Sequence, residues 1–137
     1  MWRSYALLSA LFAGLTAVLA KFGLQGISSN IATAVRTLVI LIIAWGIVFA
    51  GGETKDLQAL TKKHLSFLTL SGMATGLSWI FYFKALSTGP VSKVAPIDKL
   101  SVAIAIALSA IFLKEHLDYK TIAGAVLIMA GTFVLIR

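Results

Sequence analysis

Marked as apolar and polar positions, the chain falls into five long apolar runs separated by short polar connections. With the roughly 20-residue length of a bilayer-crossing helix as the ruler, the spans fall at about 2–24, 31–50, 65–86, 91–113 and 119–136. The first run ends at Gly26, where GISSN makes a short turn, and the second stops at Gly51-Gly52. The polar segment ETKDLQALTKKH, 53–64, carries Leu57 and Leu60, with Leu65 just beyond, at helical spacing beside Lys55, Lys62 and Lys63. It predicts an interfacial amphipathic turn or short helix. The alternation in SVAIAIALSA, 101–110, imitates a strand. The length of that run, and the need in lipid to satisfy every backbone group within the segment, predict helix instead. The fold class is an all-α integral membrane protein, with residues 1–137 forming a single five-span domain.

Composition sharpens this. Residues are 59% hydrophobic and only 12% charged, with a mean hydropathy of +0.96, which excludes an ordinary soluble domain. Twelve Lys and Arg stand against five Asp and Glu. In a soluble protein that balance would point to nucleic acid. Here the basic residues sit at helix ends, where they meet lipid head groups and set topology, and no nucleic-acid partner is expected. The chain has no cysteine, hence no disulfide and no thiolate metal site. The first run follows Met1 directly and lacks a small-x-small cleavage site, so it reads as a span and not as a removed signal peptide.

Five spans place the two ends on opposite sides of the bilayer. Arg3, Lys55, Lys62, Lys63, Lys114 and Lys120, six residues, fall on the amino-terminal side. Lys84, Lys93 and Arg137, three residues, fall on the other, or six if Lys21, Arg36 and Lys99 snorkel outward. The loop count leans the amino terminus toward the cytoplasm, and the snorkelling residues remove the bias.

The chemistry-bearing positions lie inside the spans. Asp98 is seven residues into the fourth, about 10 Å from its start, and its side chain is too short to snorkel. Arg36 is five residues into the second, about 7 to 8 Å from the same face, and Lys21 lies near the end of the first. These three are expected to meet at similar depth. Lys99 points about 100° away around the helix and is not the natural partner of Asp98. Lining a vestibule, Asp98, Arg36, Lys21 and Lys99 would favour anionic or zwitterionic solutes, and Asp98 is a candidate proton carrier. The opposing reading is a structural ion pair with Lys21 and Lys99 as snorkelling anchors. Trp79 and Tyr82, one turn apart, are either interfacial belt residues or a pocket wall.

Pro90 marks a helix start and Pro96 a kink. Gly72-x3-Gly76, the Ser101, Ala105, Ser109 series and Gly124-x6-Gly131 are faces on which helices could pack, within one chain or between chains. Asp118 is an N-cap for the fifth span. His64 and His116 are lone residues on polar connections without ligand spacing, so no metal site is expected. No nucleophile elbow, zinc-protease helix or phosphate-cradling glycine loop occurs. No catalytic residue, cofactor or enzymatic activity is expected, and without an ATP-binding element the energy for transport must come from a gradient.

From Phe81 to Ile136 the chain resembles the closing half of an EamA-type domain of the drug/metabolite transporter superfamily. The residues that carry this are Ala85-Leu86-x3-Pro90, Val94-Ala95-Pro96, Phe112-Leu113-x-Glu115 and the terminal Gly-x-x-Leu-Ile-x-x-Gly from Gly124 to Gly131. The opening GLTAVLAKFGL, 14–24, and ATAVRTLV, 32–39, resemble the short five-span bacterial and archaeal branch, so the resemblance covers nearly the whole chain. It implies one half of an inverted-repeat transporter fold, moving a small metabolite or drug-like solute across the cytoplasmic (inner) membrane. Larger members join two five-span domains of opposite orientation. That implies an antiparallel homodimer, or a heterodimer with an oppositely oriented paralogue. In the small multidrug resistance branch a Gly-x6-Gly face on the last helix is a dimer contact, which Gly124 and Gly131 match. That branch's first-helix glutamate has no counterpart here, since the first span carries Lys21 and no acid. Its proton exchange therefore does not transfer. The alternative to a transporter is a non-transporting structural or accessory membrane subunit.

Overall fold

A computed structural model describes residues 1–137; its elements are all helices, without a strand. In order these are α1 (Trp2–Gly23), α2 (Ser29–Ala50), a 3₁₀ helix (Glu53–Ala59), α3 (Lys62–Thr88), α4 (Val91–Asp98), α5 (Leu100–Phe112) and α6 (Tyr119–Ile136). Five segments are long and apolar enough to cross a membrane: α1, α2, α3, α4 with α5 as one broken span (Val91–Phe112), and α6. The strand-like alternation at 101–110 is helical, as the lipid argument requires.

Large apolar side chains such as Phe12, Ile42, Leu68, Ile111 and Val134 point outward along every span. Buried apolar residues are few: Ala17, Leu24, Phe83, Leu86, Val94 and Ala125. In water such a surface would aggregate; facing acyl chains it is matched to its solvent.

Helix ends differ from expectation where capping chemistry extends them. α2 starts at Ser29 because the Ser28 side chain accepts the Asn30 amide at 3.3 Å. α3 starts at Lys62, so Lys62, Lys63 and His64 belong to its first turn and not to the preceding connection. The cause is a reciprocal cap: the His64 amide donates to Thr61 Oγ1 at 3.3 Å and the Thr61 amide to His64 Nδ1 at 3.4 Å. His64 thus takes the place of the acid in a capping box. The turn at Gly26 and the stop at Gly51-Gly52 both use left-handed glycines, φ +76° at Gly26 and +68° at Gly52.

The chain divides into two compact units, residues 20–87 and residues 1–19 with 88–137. In the second, α6 runs along both α4 and α5, burying Val94, Ala125 and Thr132. Pro90 caps α4 from an extended backbone, φ −73° and ψ 143°. The kink expected at Pro96 becomes a break at Lys99. Pro96 has no amide to continue the ladder, and the Lys99 amide bonds one residue short, to Pro96 O at 3.0 Å. Thr132 on α6 donates to the same carbonyl, 3.2 Å away, while also lying 2.9 Å from Ile128 O. On α5 the partly buried face is Val102, Ala103, Ile106, Ser109 and Ala110; Ser101 and Ala105 are exposed, so the small-residue series is not the packing face. α5 ends where Lys114 turns left-handed, φ +54°.

Asp118 caps α6 as expected, accepting from the Thr121 amide at 3.0 Å and from the Thr121 hydroxyl. The hydroxyl, then the amide, holds its carboxyl below the usual carboxylate range. A depressed folded value means that the stabilisation is complete above the ordinary value of about 3.9 and is lost as pH falls through the lower, folded one. The Thr121 amide resonance should titrate in that acid window, and Asp118→Asn should flatten it. For the α4–α6 bond, Thr132→Val should lower unfolding stability by about 0.5–1.5 kcal/mol, read by titration with denaturing detergent.

Candidate functional site

Arg36 lies on α2 seven residues after Ser29, about 10 Å in from the helix start at 1.5 Å per residue. Its guanidinium sits over the Trp79 ring, 4.2 Å from the centroid, and 5.2 Å from the Phe83 centroid. Trp79 and Phe83 are four residues apart on α3 and share one face of it. Phe83 is 2% exposed, so one of the two rings is fixed by its surroundings. Tyr82 meets Phe83 edge-on with centroids 6.3 Å apart. The positive charge is thus met by π faces, an interaction of about 2 kcal/mol where water is excluded. Trp79 carries the arginine and is not a free belt residue. The acids of residues 20–87 are Glu53 and Asp56. Both follow the far end of α2, fourteen residues beyond Arg36 or about 20 Å along the helix.

Lys21 lies in the last turn of α1, and its Nζ donates to Leu86 O at 2.6 Å. Leu86 is in the last turn of α3, where carbonyls lack intrahelical partners and a cation is favoured by the helix dipole. Lys21 therefore ties the end of α1 to the end of α3.

Asp98 is the final residue of α4. Its carboxylate lies 3.5 Å from Lys99 Nζ, with the lysine side chain 53% and the aspartate 36% exposed. This corrects the expectation that Lys99 points elsewhere. That expectation counted only the angular offset, whereas the turn tightens at Lys99, φ −69° and ψ −9°, and the long side chain reaches its neighbour. Beside the break, Pro96, Lys99, Leu127, Gly131 and Thr132 line part of an open groove of about 410 Å³ between α4 and α6. The contacts therefore join Arg36 to Trp79 and Phe83, Lys21 to Leu86, and Asp98 to Lys99.

A Cβ added at Gly72, Gly76, Gly124 or Gly131 would meet nothing within 4 Å, so none of these glycines marks a tight contact within the chain. Span hydroxyls largely bond their own helix: Thr33 to Ser29 O, Thr37 to Thr33 O, Thr75 to Ser71 O. They need no solute to satisfy them. No three His, Cys, Asp or Glu side chains gather as metal ligands would. Two contacts escaped sequence reasoning. Phe83 was readable from its i, i+4 spacing to Trp79. Thr132 was readable only as a hydroxyl in an apolar run.

The chain matches the EamA-like transporter family over residues 1–137. It is 44% identical over 134 residues to a Sinorhizobium protein described as an uncharacterized transporter in the cobO 3′ region, covering 98% of this chain and 95% of that one. An uncharacterized protein of Methanocaldococcus jannaschii is 30% identical over 111 residues, 81% of this chain and 74% of its own. A 73-residue stretch is 36% identical to mouse NIPA-like protein 2, covering 53% of this chain and 19% of that protein. No solved structure matches. A family match along the entire chain, a near-full-length relative and five apolar spans agree: the chain belongs to the EamA-like transporter family and is a multi-pass membrane transporter of the drug/metabolite type.

Proposed function

We propose that the protein is a gradient-driven secondary transporter of a small metabolite or drug-like solute across the cytoplasmic membrane, working as an antiparallel dimer. The observation that carries this reading is the break in the fourth span. α4 ends at Asp98, about 10 Å along the span, so an acid occupies the negative end of a half-helix inside the apolar slab. Broken helices near the midplane are where secondary transporters hold coupling ions. The carboxylate and the helix end together call for a cation. Lys99 supplies one at 3.5 Å, and a proton or other coupling cation competes with it.

Two features support a dimer of opposed subunits. The Gly72, Gly76 and Gly124, Gly131 faces have room for a neighbouring backbone and none within the chain. The basic residues divide evenly between the two sides once Lys21, Arg36 and Lys99 are counted outward, which permits insertion in both orientations of one chain or pairing with an inverted paralogue. Alternating access then comes from rocking one subunit against its inverted partner, the broken fourth spans moving with them.

In proteoliposomes, Asp98→Asn should abolish or strongly reduce gradient-driven solute flux, or remove its pH dependence, while leaving the folded fraction unchanged. A folded Asp98→Asn protein with unaltered flux would refute the coupling role. A protein that moves no solute in either form would instead be a structural or accessory subunit. Cysteines introduced at both termini should be labelled from both sides of the membrane, or in complementary patterns with a paralogue.

A further inference from the structure

Arg36 presents a second kind of chemistry. Its guanidinium is held against the Trp79 and Phe83 rings, 4.2 and 5.2 Å from their centroids, which attract the charge without neutralising it. Stacking uses the faces of a guanidinium. Its five N–H donors lie in its own plane and form a fork whose spacing matches two oxygens of a planar oxyanion. With Glu53 and Asp56 beyond the far end of α2, about 20 Å along the helix, no acid of its own unit occupies that fork, and such an anion is the partner its geometry fits.

We propose that Arg36, held by Trp79 and Phe83, binds the carboxylate of an organic solute, with the aromatic wall of Trp79, Tyr82 and Phe83 beside its apolar body. This rests on the transport reading above for its substrate class, yet it concerns binding and is separable from flux. A lipid phosphate offers the same oxygens; the solute is favoured because Arg36 lies about 10 Å along its span, below the head groups.

The test uses the full chain in phosphatidylcholine nanodiscs. Trp2→Phe and Trp45→Phe leave Trp79 as the sole tryptophan reporter. Benzoate should change Trp79 emission saturably, while benzamide, the same ring with a neutral head, should not. Arg36→Lys keeps the charge but loses the fork, and should weaken benzoate binding at least tenfold. Arg36→Gln should abolish it. Equal responses to benzoate and benzamide, or full affinity in Arg36→Lys, would overturn the proposal, as would a response to added phosphatidylglycerol with none to benzoate. If the arginine variants do not fold, the benzoate and benzamide comparison in the parent protein still decides. Arg36-dependent binding in a protein that transports no carboxylate would leave this site standing and remove the transport reading. Flux that persists in Arg36→Gln with unchanged solute preference would do the reverse.

Discussion

The hydrocarbon interior offers a peptide group nothing to bond with, and most of the structure follows from that. Each span must close its own backbone ladder, so even the alternating 101–110 stretch is helical. Hydroxyls within the spans turn back on carbonyls of the preceding turn. Where the ladder has to fail, at Pro96, the freed geometry is repaired by a tightened turn from Lys99 and by a hydroxyl from Thr132 on the neighbouring helix. Lipid also removes the hydrophobic drive between helices, since acyl chains are as apolar as leucine. That is why the buried apolar set is six residues, several of them small, while large side chains point outward.

The same medium decides how each charge is held, and the three devices differ. Lys21 stands at a helix end and donates to the Leu86 carbonyl, where α1 and α3 finish. Asp98 is met by its neighbour Lys99, a loose pair whose members are both partly exposed, so it is weakly held. Arg36 is met by rings, which neutralise nothing and leave its donors available. Charges compensated in full stabilise a structure. Those compensated in part are where a proton, an ion or a solute has something to gain.

Sequence periodicity and composition were sufficient for the class, the number of spans and most of their limits, because a 20-residue apolar run in lipid has one answer. They failed where a single side chain moves a boundary. His64 reads as a loop residue until its ring is seen to accept the Thr61 amide, which pulls α3 back to Lys62. Lys99 reads as facing away from Asp98 only while its angular offset is counted and the reach of its long side chain, at a tightened turn, is not. Convergence of Lys21, Arg36 and Asp98 was inferred from equal depth. Depth says which residues are able to meet; the side-chain contacts of Lys21 and Arg36 within residues 20–87, a carbonyl and aromatic faces, were not legible from it. The Arg36 stack itself was half legible, since Trp79 and Arg36 were both marked but from separate arguments.

Helix lengths give an independent reason for the aromatic solution at Arg36. α3, at 27 residues, is about 40 Å long and overshoots a 30 Å hydrocarbon core by about 5 Å at each end if centred. Trp79, nine residues before Thr88, then sits about 9 Å below the hydrocarbon surface. α2, at 22 residues, overshoots by about 1.5 Å at each end, which puts Arg36 about 9 Å below the same surface. Two helices of different length therefore bring the pair to one depth. It is too deep for bulk water to hydrate a guanidinium at the Arg36 backbone, yet shallow enough that its long side chain reaches a wetter layer. A carboxylate there would quench the charge and close the site. Rings hold the guanidinium in place and leave its positive charge unneutralised.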